Sequence, residues 1–225
     1  MAILCREAGL LLLQAPHTGS TSLGTLLRER LGGEMLLRER VRDERGRIVL
    51  RQKHQTLGQL LAAGLITPEQ REGLLVVVGV RDPYDLVFTE YARHREAGAI
   101  PAPERLLRRL GVLGSDYSPG DFERFVRRRY RPGRLLGSLG RRPFVPVDWT
   151  AGADHIIRFE RMQADLDEAL RKVGVTEPLP LPHRNPTSSR GERHYSELYT
   201  PASREIVTAA YQRELDRFGY TFVER

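Results

Sequence analysis

Length, composition and charge limit what this chain can be. Its 225 residues are 40% apolar, enough for a full hydrophobic core, and they predict a single domain over residues 1–225. Cys5 is the only cysteine, which excludes an intrachain disulfide and a cysteine-ligated structural zinc site. No apolar run approaches the ~20 residues that span a bilayer, and no secretory leader is evident, so we expect a cytoplasmic protein with no membrane span.

The net charge of +7 would suit an anionic partner such as a nucleic acid. Of the 36 basic residues only Lys53 and Lys172 are lysines, so a general arginine bias explains the charge better than selection for a polyanion does. No zinc-finger spacing, aromatic RNA-binding motif or basic-zipper heptad occurs. We therefore do not expect a nucleic acid as the partner.

Strand-like and helix-like segments alternate along the chain, which favours an α/β fold with a central, largely parallel sheet flanked by helices. Apolar runs over 10–13 and 74–80 predict two neighbouring central strands, and the second is dense enough to be buried on both faces. Segment 155–159 predicts a third strand. Segment 47–52 predicts a weaker fourth strand towards an edge.

Helix signals follow the strands. Leucines at helical spacing predict a helix after the first strand, and Asp82 as the cap with Pro83 as the first residue predicts one after the second. Further helices are predicted around residues 122–126, over 166–173 and from Thr200 to Phe218. Segment 176–193 is rich in proline and polar residues and predicts a long loop, which is more often functional than idle in a compact domain.

The turn "APHTGSTS", residues 15–22, joins the first predicted strand to the first predicted helix. In an open α/β sheet, ligands bind at the carboxyl ends of strands, where helix amides point outwards. Gly19 allows a ligand to approach the backbone closely, and the turn favours a tetrahedral anion. The alternative is a helix cap without a ligand. The hydroxyl donors of the turn are those of Thr18, Ser20, Thr21 and Ser22.

This turn differs from a kinase phosphate loop. The pattern G-x-x-x-x-G-K-[ST] is absent, since the first lysine of the chain is Lys53. A magnesium-dependent kinase loop is therefore not expected.

Arg81 follows the second central strand, beside the first turn if the two strands are adjacent. Its guanidinium suits bidentate recognition of phosphate, and the hydroxyl of Thr89, eight residues later, could bind the same anion. Taken alone, Arg81 could equally pair with an acidic residue such as Asp82. Two anion sites at adjacent strand ends indicate one ligand that carries two separated phosphate-like groups.

These segments resemble the cofactor motifs of sulfotransferases that use 3′-phosphoadenosine 5′-phosphosulfate (PAPS). "APHTGSTSL" resembles the P-K-T-G-[ST]-T-S loop that holds the 5′-phosphosulfate, and "VRDPYDLVFTEYARH" resembles the V-R-[DN]-P-Y-x-x-x-x-S-x-Y segment that holds the 3′-phosphate. "DHIIRFERMQADLDEALRKVGV" and "YSELYTPASREIVTAAYQRELDRFGY" are similar to the later part of carbohydrate-type, or family 2, sulfotransferases. The resemblance implies a P-loop-like three-layer fold, with cofactor contacts from His17, Thr18, Gly19, Ser20, Thr21, Ser22, Arg81 and Thr89.

The chain departs from the family pattern at two cofactor positions. His17 stands where the family has a lysine that steadies charge on the bridging oxygen as the sulfuryl group leaves. A histidine does this as an imidazolium, or more weakly as a neutral N–H donor. Thr89 stands where the family has a serine and keeps the hydroxyl.

Two further elements of the resemblance carry site residues. "RQKHQTLGQLL" resembles a K-H segment of family members and implies that His54 is the general base, the alternative being a surface or hydrogen-bonded histidine. Lys53 is a candidate replacement for the missing loop cation. In the long loop, Arg190 with Gly191 resembles an R-x-G element that contacts the 3′-phosphate, the alternative being a simple polar loop.

The sequence thus predicts an enzyme that transfers a sulfuryl group from PAPS to a hydroxyl, on a carbohydrate or glycoconjugate acceptor, with His54 and His17 as catalytic residues and no metal. Two rivals stay open. A nucleotide kinase would need a loop lysine and a magnesium-binding acid. A non-catalytic protein of the same fold would bind a nucleotide or a polyanion. Segments 38–51 and 99–142, where acceptor pockets lie, carry no readable motif.

Overall fold

The computed structural model describes residues 2–50, 52–96, 118–130, 146–182 and 192–225. They belong to two compact units, the first comprising Met1–Arg81 and Asp148–Pro186, the second Asp82–Val147 and Thr187–Arg225. Each unit has hydrophobic core clusters of its own. The single domain over 1–225 stays a prediction.

The described strands and helices are as follows. The strands are β1 (Ala2–Cys5), β2 (Leu10–Leu13), β3 (Glu34–Met35), β4 (Val41–Arg42), β5 (Ile48–Leu50), β6 (Leu75–Val80) and β7 (His155–Arg158). The helices are α1 (Ser20–Arg30), α2 (Leu57–Ala62), α3 (Pro68–Glu72), α4 (Pro83–Glu96), α5 (Pro119–Tyr130), α6 (Met162–Lys172) and α7 (Pro201–Phe218).

A five-stranded sheet, in the order β3-β1-β2-β6-β7, forms the centre of the first unit. Strand β2 pairs in parallel with β6, and β6 pairs in parallel with β7. Strand β1 is antiparallel to both of its neighbours, so four of the five strands run in one direction. Leu10 lies opposite Leu75 and Leu13 opposite Val78, which confirms that the two densest apolar runs are neighbouring central strands.

Helices cover both faces of this sheet, because successive side chains of its buried strands point to opposite sides. On one face, leucines of α1 and α6 pack against Leu10, Leu12 and Val77. On the other face, leucines of α2 pack against Leu11, Leu13 and Val76. The first unit therefore has three layers, and the predicted α/β class with a mostly parallel sheet is confirmed.

Aromatic residues dominate the core of the second unit, which contains α4, α5, α7 and a 3₁₀ turn at Tyr195–Leu198. Tyr84 and Phe222 make an edge contact with ring centroids 5.0 Å apart. The predicted helix starts are correct here. Asp82 Oδ1 accepts a hydrogen bond from the Tyr84 amide at 2.9 Å, and Thr200 caps α7 in a capping box.

The structure corrects two details of the predicted sheet. Strands β1 and β3 are absent from the prediction, because the place of β1 depends on its pairing with β2 and β3, and β3 is only two residues long. The strand predicted over 47–52 exists as β5, but it pairs with β4 in a separate two-stranded sheet. None of the helices in the described residues has the length and hydropathy that crossing a bilayer requires.

Candidate functional site

Side chains of the turn between β2 and α1 form hydrogen bonds with the backbone of the same turn. Gly19 is the N-cap of α1 in the left-handed conformation, with φ 73°. Thr18 Oγ1 and Ser20 Oγ both donate to the carbonyl oxygen of Ala15, each at 3.0 Å. These two hydroxyls shape the turn in this structure, and their predicted role as donors to an anion stays a prediction.

The N-terminus of α1 differs from those of α2 and α3, while α6 resembles α1 in having no side-chain cap. Thr56 and Thr67 cap α2 and α3 in capping boxes, whereas no side chain caps α1 and no acidic residue lies in its first turn. The first amides of a helix have no intrahelical acceptor, and they carry a positive partial charge. This turn therefore presents an electropositive helix end that favours an anion.

Two glycines allow the turn to pack closely against its surroundings. A Cβ at Gly19 would collide with Met162 Cε and lie 3.2 Å from Phe159 Cδ2. A Cβ at Gly79, on the neighbouring strand β6, would lie 2.7 Å from Thr18 Oγ1. The conformation of the turn thus depends on close backbone approach as well as on its own hydrogen bonds.

Replacing Gly19 with alanine should lower the free energy of unfolding by about 1–2 kcal/mol, because the left-handed backbone penalises a side chain, whereas Met162 Cε is the end of a flexible side chain that can move aside. Urea denaturation followed by circular dichroism measures the change. The matched control is Gly58→Ala on α2, where a Cβ would meet no atom within 4 Å. That variant should be neutral or more stable by about 0.4–1 kcal/mol. Equal effects of the two substitutions would contradict the left-handed conformation of Gly19.

Arg81 lies directly after β6 and is buried, with 8% of its surface exposed. Its Nη1 donates to the carbonyl oxygen of His17 at 2.9 Å, and its guanidinium stacks 3.8 Å from the ring centroid of Phe159. The adjacent strands therefore bring Arg81 to the turn, as the sequence predicts. The bond to His17 holds a cationic side chain beside the electropositive end of α1, which concentrates positive charge at one place.

His54 approaches the same turn from another part of the chain. Its Nδ1 lies 2.8 Å from the carbonyl oxygen of Gln14, and its ring makes an edge contact with Trp149, with centroids 6.2 Å apart. A carbonyl oxygen can only accept, so Nδ1 carries the proton in this hydrogen bond. The neutral ring then has its lone pair on Nε2, which is the form a general base requires.

His17 and His54 share an unusual backbone conformation. Among the described residues they are the two non-glycine residues with positive φ, at 62° and 63°. Histidine is more tolerant of this region than most residues, but the conformation still costs an L-residue about 1–2 kcal/mol. Residues held in such conformations concentrate at functional sites. The two histidines predicted to be catalytic are thus also the strained ones.

The other predicted residues are placed as follows. Lys53 is exposed beside His54, and Thr21 is exposed in the first turn of α1. Thr89 is buried on α4 in the second unit, with 2% of its surface exposed. Arg190 and Gly191 lie outside the described residues.

Sequence reasoning missed two residues that contact the turn region, Gln14 and Phe159. Gln14 had an available signal, because it is a polar residue directly after four buried leucines. Phe159 had none, since its stacking on Arg81 depends on the pairing of β6 with β7. Within the described part of the chain, no three histidine, cysteine, aspartate or glutamate side chains gather as a metal-binding group.

Comparison with models of protein families, with curated proteins and with solved structures finds no match. The function is therefore argued from the turn and the side chains around it.

Proposed function

We propose that this protein is a PAPS-dependent sulfotransferase with a P-loop-like fold, which transfers a sulfuryl group to a hydroxyl of a carbohydrate or glycoconjugate. One observation carries the proposal. His17, His54 and Arg81 are far apart in sequence, and all three meet at the turn between β2 and α1. In this proposal each of them takes the role that its resemblance to a sulfotransferase motif implies.

In this proposal the 5′-phosphosulfate lies on the first amides of α1, where a tetrahedral anion complements the helix end. Arg81 binds the 3′-phosphate while its bond to His17 keeps the guanidinium beside the turn. Thr89 belongs to the second unit, and its contact with the 3′-phosphate rests on the sequence motif alone.

The reaction is an in-line displacement at sulfur. Nε2 of His54 takes the proton of the acceptor hydroxyl, and the acceptor oxygen forms a bond to sulfur. The bond between sulfur and the bridging oxygen breaks, and 3′-phosphoadenosine 5′-phosphate leaves. His17, as an imidazolium, donates a hydrogen bond to the bridging oxygen as negative charge develops there. Fixed donors stabilise the transition state, so the scheme requires no metal.

Calorimetry on the wild type and on Arg81→Ala tests the 3′-phosphate assignment. The wild type should bind 3′-phosphoadenosine 5′-phosphate more tightly than AMP without magnesium. Arg81→Ala should reduce that preference by roughly 1.5–3 kcal/mol, the usual worth of a hydrogen bond to a charged group. The quantity to compare is the ratio of the affinities for 3′-phosphoadenosine 5′-phosphate and AMP, because losing the bond to His17 can weaken the binding of both nucleotides.

Arg28→Ala is the matched control, since it removes the same charge from the exposed side of α1. This variant should keep the preference for the 3′-phosphate. Equal affinity of the wild type for both nucleotides would contradict the assignment of Arg81.

The non-catalytic rival is favoured by one feature, which is that a histidine stands where the family has a lysine. It predicts nucleotide binding without turnover of any hydroxyl acceptor. The kinase rival predicts instead that ATP binds with magnesium and that the 3′-phosphate adds no affinity.

A further inference from the structure

Gln14 connects the turn to His54 through two separate hydrogen bonds. It lies directly after β2 and is buried, with 6% of its surface exposed. Its side-chain Nε2 donates to the carbonyl oxygen of Ser20 at 2.6 Å, in the first turn of α1. Its backbone carbonyl oxygen accepts a hydrogen bond from His54 Nδ1 at 2.8 Å. One residue therefore touches both the helix end that favours an anion and the proposed base.

The space for this amide comes from a glycine inside α1. A Cβ at Gly24 would collide with Gln14 Nε2 and lie 2.6 Å from Ile3 Cδ1. Glycine in a helix interior costs about 1 kcal/mol relative to alanine. The packing of the Gln14 amide against α1 gives a physical reason for a glycine at this position.

We propose that Gln14 is a positioning residue that directs Nε2 of His54 towards the acceptor hydroxyl. Its side chain fixes the end of β2 relative to α1, and this fixes the direction in which its backbone carbonyl points. That carbonyl selects the His54 tautomer with a proton on Nδ1 and orients the ring. In this proposal Gln14 acts through His54, which its backbone carbonyl contacts. As a statement about catalysis this inference rests on the proposed function.

The tautomer of His54 tests the inference without any nucleotide or acceptor. In ¹⁵N-histidine NMR at a pH where the ring is neutral, two-bond couplings report which ring nitrogen carries the proton. The His54 signals are assigned by their loss in His54→Asn. We expect the Nδ1–H form in the wild type and a mixture of tautomers in Gln14→Met, which keeps the length of the side chain and removes the amide. An Nε2–H form in the wild type would overturn the inference.

The matched control is Gln163→Met on α6. The Gln163 amide also bridges backbone groups, donating to Leu179 O at 3.1 Å and accepting from Leu181 N at 2.9 Å. This variant should leave the His54 tautomer unchanged. If Gln14→Met does not fold, Gly24→Ala serves instead, because its Cβ displaces the Gln14 amide and should produce the same mixture. If Gln14→Met, or Gly24→Ala in its place, folds and keeps the Nδ1–H form of the wild type, the inference is overturned.

Turnover gives the second readout. Gln14→Met should lower kcat roughly 10-fold to 100-fold, the scale of a small misplacement of a catalytic group, while the KM for PAPS stays nearly constant. Unchanged kcat would overturn the positioning role. The binding of 3′-phosphoadenosine 5′-phosphate separates the two proposals. If it fails while the tautomer behaves as expected, the sulfotransferase assignment is wrong and the positioning of His54 stands.

Discussion

Replacing His54 with asparagine should lower turnover of a verified hydroxyl acceptor by about 10²–10⁴-fold, the usual contribution of a general base. Asparagine tolerates a positive φ, and its amide can still donate to the Gln14 carbonyl that His54 contacts. The variant therefore removes the proposed base and keeps the backbone conformation. Affinity for 3′-phosphoadenosine 5′-phosphate should stay close to that of the wild type, as measured by calorimetry.

Two controls separate this effect from a loss of structure. His54→Gly relieves the left-handed backbone and should be more stable than His54→Ala by roughly 1–2 kcal/mol, yet both should be as slow as the asparagine variant. His94→Asn, at an exposed position of α4, should turn over like the wild type. Wild-type turnover in His54→Asn would return His54 to the class of surface histidines.

Replacing His17 with lysine should preserve or raise turnover and extend activity to higher pH. Only a protonated imidazole supplies a full charge beside the bridging oxygen, so that contribution is present at low pH and is lost as the ring deprotonates. Histidine has an ordinary pKa of about 6.5 and lysine one of about 10.4, so lysine stays charged over a wider range. The measurement is a pH–rate profile of the wild type, His17→Lys and His17→Ala under saturating PAPS.

Alanine at position 17 is the matched control for lysine. Both residues meet the same left-handed backbone penalty at φ 62°, so a difference between them reports the charge. His17→Ala should lose about 10²–10³-fold in turnover, the scale of one donor to a developing negative charge, and lose less in cofactor affinity. An inactive lysine variant together with a fully active alanine variant would show that His17 does not replace the lysine of the family.

The sequence predicted the elements whose signals are local. The runs at β2 and β6 are dense enough to indicate strands buried on both faces, and they are neighbours in the sheet. Thr200 and Asp82 indicated helix starts because a cap depends on residues three or fewer positions away. Strand β1 was missed, because its place in the sheet depends on pairing with β2 and β3.

The placement of some candidate residues was predictable from the sequence, and their contacts were less so. The sequence indicated that Arg81 would lie beside the turn, and its bond to the His17 carbonyl agrees with that placement. It gave no sign that Thr18 and Ser20 would donate to Ala15, since that depends on the path of the turn. The contact of His54 with Gln14 joins residues 40 positions apart and depends on tertiary packing.

The most direct measurement is calorimetry of the wild-type protein with 3′-phosphoadenosine 5′-phosphate without magnesium, compared with ATP in the presence of magnesium. The anion-favouring end of α1, together with Arg81 beside it, predicts that 3′-phosphoadenosine 5′-phosphate binds and that magnesium adds nothing to its affinity. Binding of ATP with magnesium, in a protein that does not bind 3′-phosphoadenosine 5′-phosphate, would contradict the sulfotransferase assignment.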